Sequence, residues 1–294
     1  MKKIVFVLII TITTLKVQGQ SSEFRNQRVQ LTIFNVGFNG LIGGVGRVIN
    51  RSENTSAFQA FKKGFYQGAI GGAISHIGLS LTHQIQVQQN IVYTWPARLV
   101  NSFGASIIQN TAEGKRMFDR LHFNLFFTRL EYYPYQRNFR ARLFTSSIYG
   151  FLVVGNNAKF NLKKSLQTGI FYFESDQNFS LPGLGSSGLA TGQVSSIGMS
   201  AGLTQDDFYD VYAEETAHIL QYDRKVGGNA ILLKTNQNLL ANSKPYNFLS
   251  RYVYFDLNGP LFWLGYRLEG STHNCNFFEQ EAVNYSYKRA YKCN

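Results

Sequence analysis

Asp206-Asp207-Phe208-Tyr209-Asp210-Val211-Tyr212-Ala213-Glu214-Glu215-Thr216-Ala217-His218-Ile219-Leu220-Gln221-Tyr222-Asp223-Arg224-Lys225 is the stretch on which the reading of this chain turns. Its pattern is helical, and it is acidic in the first turn, where free N–H groups and the positive end of the helix dipole favour carboxylates. Glu214 and His218 are one four-residue step apart, which places both side chains on one face of the helix, with Glu215 beside them. A carboxylate and an imidazole so placed can chelate a metal ion.

A second segment, Phe277-Phe278-Glu279-Gln280-Glu281-Ala282, opens a last helix predicted from about Phe277 to Tyr287. Taken in order, the two segments resemble the zincin class of zinc peptidases, in particular bacterial zincin-like proteins that follow the second histidine with His-x-x-Gln. That class carries His-Glu-x-x-His on one helix and takes a third ligand, often a Glu in a Glu-x-x-Ala-Asp or Glu-x-Glu-Ala context, from a later helix. By this resemblance Glu214 stands at the first ligand, Glu215 at the general base, His218 at the second ligand and Glu279 at the third, with Gln221-Tyr222 continuing the motif. The sequence departs from the family twice: Glu214 replaces a histidine, and Val283 stands where many relatives keep an Asp that supports the ligands. Two carboxylates and one imidazole form a harder donor set than two histidines and one carboxylate, and a poorer one for zinc. The resemblance therefore implies a non-catalytic descendant without a cofactor. Its competitor is an active zinc metallopeptidase of the cell envelope.

At the other end, Met1-Lys2-Lys3 precedes an apolar run from Ile4 to Leu15, too short for a membrane span of about 20 residues. Val17-Gln18-Gly19 suits a signal peptidase, so residues 1–19 read as a signal peptide and the mature chain as starting at Gln20. No cysteine follows the run to receive a lipid. The two cysteines, Cys275 and Cys293, are expected to pair in an oxidising compartment, closing a loop worth about 3 kcal/mol.

Between these ends, 20–180 reads as glycine-rich helices followed by an antiparallel sheet. Leu31 to Ile49 is apolar and glycine-rich, suited to close approach of another backbone. Phe58 to Gln89 has helical spacing, with Gly64, Gly68 and Gly72 forming a smooth stripe on which a neighbouring helix can lie. Leu99 to Gln109 is a further helix with Ser102, Gly104, Ala105 and Ser106 on one side. Leu121–Leu125, Phe139–Leu143, Ser147–Val154 and Thr168–Phe173 read as strands of an antiparallel meander. The Gly/Ser-rich stretch 181–205 reads as a linker, and 206–294 as the zincin-like region, with strands at Tyr252–Phe255 and Phe262–Leu268. The fold class is α+β.

Composition adds a functional expectation. Aromatic residues reach 15% while charged residues are only 16%, below the quarter usual in soluble domains. Such a surface suits burial against partners. The net charge of +12 is spread along the chain, which fits anionic lipid or lipopolysaccharide phosphates and not a nucleic-acid arm. The expectation is an exported subunit of the periplasm or outer-membrane surface, bound to envelope proteins in an outer-membrane-associated complex that assembles or exports other proteins.

Overall fold

The computed structural model describes residues 24–156, 158–177, 179–180, 187–188, 190–224, 227–259, 264 and 276–286. The expected signal peptide, Cys275, Cys293 and, apart from Leu264, the strand predicted at Phe262–Leu268 lie outside the described residues. The fold is α+β. A helical layer comes first: α1 (Phe24–Ile49), α2 (Ala57–Ser80), the short α3 (His83–Val87) and α4 (Thr94–Ala112). There follow β1 (Leu121–Leu125), β2 (Thr128–Tyr133) and β3 (Asn138–Phe144), then α5 (Thr145–Gly155), β4 (Lys159–Phe160), α6 (Leu162–Thr168) and β5 (Phe171–Ser175). After the small hairpin β6 (Phe179–Ser180) and β7 (Ser187–Gly188) come β8 (Ala190–Gln193), β9 (Ser196–Ser200) and α7 (Gln205–Arg224). The last described elements are α8 (Gly227–Ile231), α9 (Leu233–Asn242), α10 (Lys244–Ser250), β10 (Val253–Tyr254) and α11 (Phe277–Ser286).

The glycine stripe does what its spacing implies. A Cβ at Gly64 would stand 2.4 Å from the Gly43 carbonyl oxygen, and one at Gly68 2.4 Å from that of Asn39, so α1 and α2 touch backbone to backbone. The small residues of α4 repeat the device on the other side of α2, where Gly104 meets Gly71 and Ser75. Ser56 caps α2 by accepting the Gln59 N–H at 3.2 Å. The helix predicted to run to Gln89 stops at Ser80 and resumes as α3.

Two four-stranded sheets complete the fold. β1 and β3, two strands of the expected meander, pair antiparallel with β2 between them, but the fourth strand is β10, parallel to β3. The expected meander strand Thr168–Phe173 lies in the other sheet as part of β5, because its apolar side chains pack under α7. The other sheet has the order β4-β5-β9-β8, with β5 and β9 parallel and β8 antiparallel at the edge. Ser147–Val154, expected as a strand, is part of helix α5: its β-prone composition is overridden because Ser147, Gly150 and Val154, at helical spacing, are the buried positions. The stretch 181–205, expected as a linker, carries β7, β8 and β9. Its small residues are what a sheet needs when helices press on it: Gly150 of α5 packs on the Val194 carbonyl, and all of Ser196–Ser200 is buried. The main core lies between this sheet and α7, built from Ile170, Tyr172, Ile197, Met199, Tyr212 and Ile219.

Candidate metal centre

α7 is held on several sides. Its apolar positions Tyr212, Ile219 and Leu220 are fully buried, and Asn101 of α4 donates to the Leu220 carbonyl at 3.0 Å. Edge strand β8 crosses it so closely that a Cβ at Gly192 would be 2.4 Å from the Glu215 carbonyl oxygen. Only glycine allows that approach. Ala217, Leu220, Ala282 and Tyr285 then pack α11 against α7.

This packing brings the two predicted segments together. Glu214, His218 and Glu279 each offer one ligand atom, and these atoms all lie within 4.8 Å of one another. His218 Nε2 is 3.1 Å from Glu279 Oε2, with side chains 14% and 8% exposed. On the other side of the ring, His218 Nδ1 is 3.1 Å from Gln221 Oε1, which turns Nε2 toward the carboxylates. Gln221 in turn donates to the Phe278 carbonyl at 2.9 Å and to Glu281 Oε2 at 2.8 Å. Glu281 is fully buried and paired with Arg224 at 2.9 Å. Asn35 of α1 accepts from Arg224 and donates to Glu281 at 2.8 Å and to the Tyr285 hydroxyl at 2.9 Å. A chain of polar contacts thus runs from His218 through α7 and α11 into α1.

Electrostatics reflect the crowding of carboxylates. Burial pushes the Glu215 carboxyl up to about 7, with Glu214 and Glu279 adding to it; His218 and the Gly192 N–H, which donates to that carboxylate, pull the other way. Burial alone would lower the His218 imidazolium, but the adjacent Glu279 outweighs it and holds the group up to about 10. The site is therefore rich in buried negative charge, of the kind a cation neutralises.

All four residues expected from the sequence, Glu214, Glu215, His218 and Glu279, meet here. Arg224, Asn35 and Tyr285 were not expected, and Glu281 was read only as the neighbour of Glu279. Glu281 had a signal in the Glu-x-Glu-Ala string, whereas Asn35 had none. His76 of α2 bonds the Tyr285 hydroxyl at 2.5 Å and Thr32 at 2.9 Å. Val283 is fully buried and apolar, and the support to His218 comes instead from Gln221. Compared with protein families, with curated proteins and with solved structures, the chain matches none.

Proposed function

We propose that the chain is an exported, zincin-like protein of the cell envelope in which Glu214, His218 and Glu279 hold a divalent metal ion and Glu215 acts as general base of a hydrolase. The observation that carries this reading is the convergence of three donor atoms from two helices, the two glutamates buried and the histidine mostly so, with the histidine ring already oriented by Gln221. The donor set fits a borderline to hard divalent cation, so manganese and iron(II) are ions to test beside zinc. Such an ion would polarise a carbonyl and lower the pKa of a bound water. The chain's own part is to exclude solvent, to hold the His218 ring through Gln221 and Glu281, and to take a proton at the Glu215 carboxylate, which the Gly192 N–H orients.

A second reading, a non-catalytic subunit of an outer-membrane-associated complex for envelope assembly or export, is favoured by a different observation. Large apolar side chains stand in solvent at Phe58 (75% exposed), Ile33 (67%), Leu152 (63%) and Phe248 (63%), and the basic net charge suits lipid or lipopolysaccharide phosphates and no nucleic acid. The helix Val29–Ile49 is also long and apolar enough to cross a membrane by length and composition, though it is packed on α2 and α4 here.

Metal analysis and a base variant separate the two. Equilibrium dialysis against zinc, manganese and iron(II) should leave about one ion per chain, lost in His218→Ala, and Glu215→Gln should keep the ion while cellular function falls by orders of magnitude. A chain that takes up no ion, with Glu215→Gln fully functional, would overturn the hydrolase reading in favour of the docking subunit.

A further inference from the structure

An open cleft lies away from the candidate metal site. It has a volume of about 670 Å³, within the range of small-molecule sites, and is built on β5, β9, α6 and the first turns of α7. Tyr209, which lines it, precedes His218 by nine residues, a half-turn excess that puts the two on opposite faces of α7. The cleft and the metal centre are separate sites.

Its chemistry is specific in three respects. First, its charge is internally cancelled: Lys164 Nζ is 2.7 Å from Glu174 Oε1 and lies against the rings of Tyr172 and Phe208, at 4.8 and 5.0 Å. A phosphate or a carboxylate would have to compete with Glu174 for that ammonium. Second, the rim carries exposed carboxamides, each both donor and acceptor: Gln167, and the pair Gln89 and Gln205, in which Gln205 donates to Gln89 at 3.5 Å and Gln89 to Asp206 at 3.4 Å, beside the aromatic side chain of Tyr209. Third, the floor is the face of β5 and β9, the two inner strands of the sheet, whose backbone groups are already paired with neighbours on both sides. An extended peptide finds no strand edge to join there.

We propose that this cleft binds a neutral oligosaccharide, its hydroxyls bonded by the carboxamides and a C–H face laid on Tyr209. An uncharged ligand that alternates hydroxyl-bearing and apolar faces is the class that matches a site whose lysine is already paired with a carboxylate, whose walls are amphipathic and whose strand floor offers no edge. The proposal does not depend on metal binding.

The test is a screen of the full mature chain on a glycan array, followed by calorimetry with the free sugars that bind and with chitotriose, cellotriose and maltotriose. Inorganic phosphate and the tripeptide Ala-Ala-Ala serve as the competing classes. Binding is expected for at least one neutral glycan, weakened about tenfold or more by Tyr209→Ala, which removes a stacking face. The exposed Gln167→Ala should weaken it without touching the core, and His218→Ala should leave it unchanged. No glycan binding by a protein with native circular dichroism, preference for phosphate or tripeptide, or glycan binding indifferent to both cleft variants would overturn the proposal.

Discussion

At the scale of single residues, a second buried cluster of charges, apart from Glu214, His218 and Glu279, lies between α4 and the β1-β2-β3 sheet. Glu131, fully buried, accepts from Arg142 at 2.6 Å and Arg129 at 3.0 Å, while Arg120 bonds Glu113 at 2.8 Å. Burial alone would raise the Glu113 carboxyl, but Arg120 and Lys115 outweigh it and bring it down to about 2 from an ordinary value near 4.5. A depressed carboxyl stabilises the fold above its unfolded value and loses that contribution as pH falls toward its folded value. Glu113 should thus contribute on the order of 3 kcal/mol at neutral pH, lost between about pH 4.5 and 2. Glu215, raised to about 7, works in the opposite sense: its protonation favours the fold as pH drops from 7 to its ordinary value. The measurement is therefore a difference: urea unfolding of the wild type and of Glu113→Gln should diverge at neutral pH and converge toward pH 2. A constant gap over that range would show that the carboxylate charge is not what stabilises the cluster.

At the scale of elements, the α1–α2 pair sets two properties of glycine against each other. Replacing a helical glycine by alanine gains up to about 1 kcal/mol of helix propensity where there is room. At Gly37 a Cβ would meet nothing within 4 Å, so Gly37→Ala should stabilise. At Gly64 the Cβ would press on the Gly43 carbonyl at 2.4 Å, and both partners are backbone, which cannot rotate away. Gly64→Ala should therefore destabilise by about 1–3 kcal/mol in spite of the propensity gain, as overpacking does. Thermal or chemical denaturation of the two variants gives opposite signs; two shifts of the same sign would mean that propensity, and not helix contact, governs this layer.

At the scale of the whole molecule, three helices far apart in sequence are tied by one buried polar group: Asn35 on α1, Arg224 on α7 and Glu281 on α11. Removing one partner of a buried ion pair leaves the other unsatisfied at a cost of about 3–5 kcal/mol, whereas removing both with apolar residues of similar volume costs far less. Glu281→Leu alone should loosen the packing of α11 and lower metal uptake at His218, because Gln221 loses one of its two acceptors and keeps only the Phe278 carbonyl. The double variant Arg224→Met with Glu281→Leu should recover most of the stability but not the metal affinity. Denaturant midpoints and metal dialysis on the same samples check this; equal loss of stability in single and double variants would mean that the pair is not what joins the three helices.

How far the fold and the site could be read from the sequence follows from the range of the forces involved. Local periodicity and spacing sufficed for α7, for the glycine stripe of α2 and for the β1 and β3 strands, and a helix turn by itself puts Glu214 and His218 on one face. Glu215 and Glu279 are named only through the resemblance to zincins, and no local pattern joins Glu279 to the others. Local patterns misread Ser147–Val154 and the 190–200 strands, where β-prone residues became a helix and Gly/Ser residues became the middle of a buried sheet. In both cases burial between neighbouring layers chose the structure, and small or branched side chains carry no local record of which neighbour they meet. The residues that support the candidate site, Asn35 above all, lie up to 250 positions from their partners. Only the tertiary structure brings such groups within hydrogen-bond range, since their pairing depends on helix packing and not on any pattern along the chain.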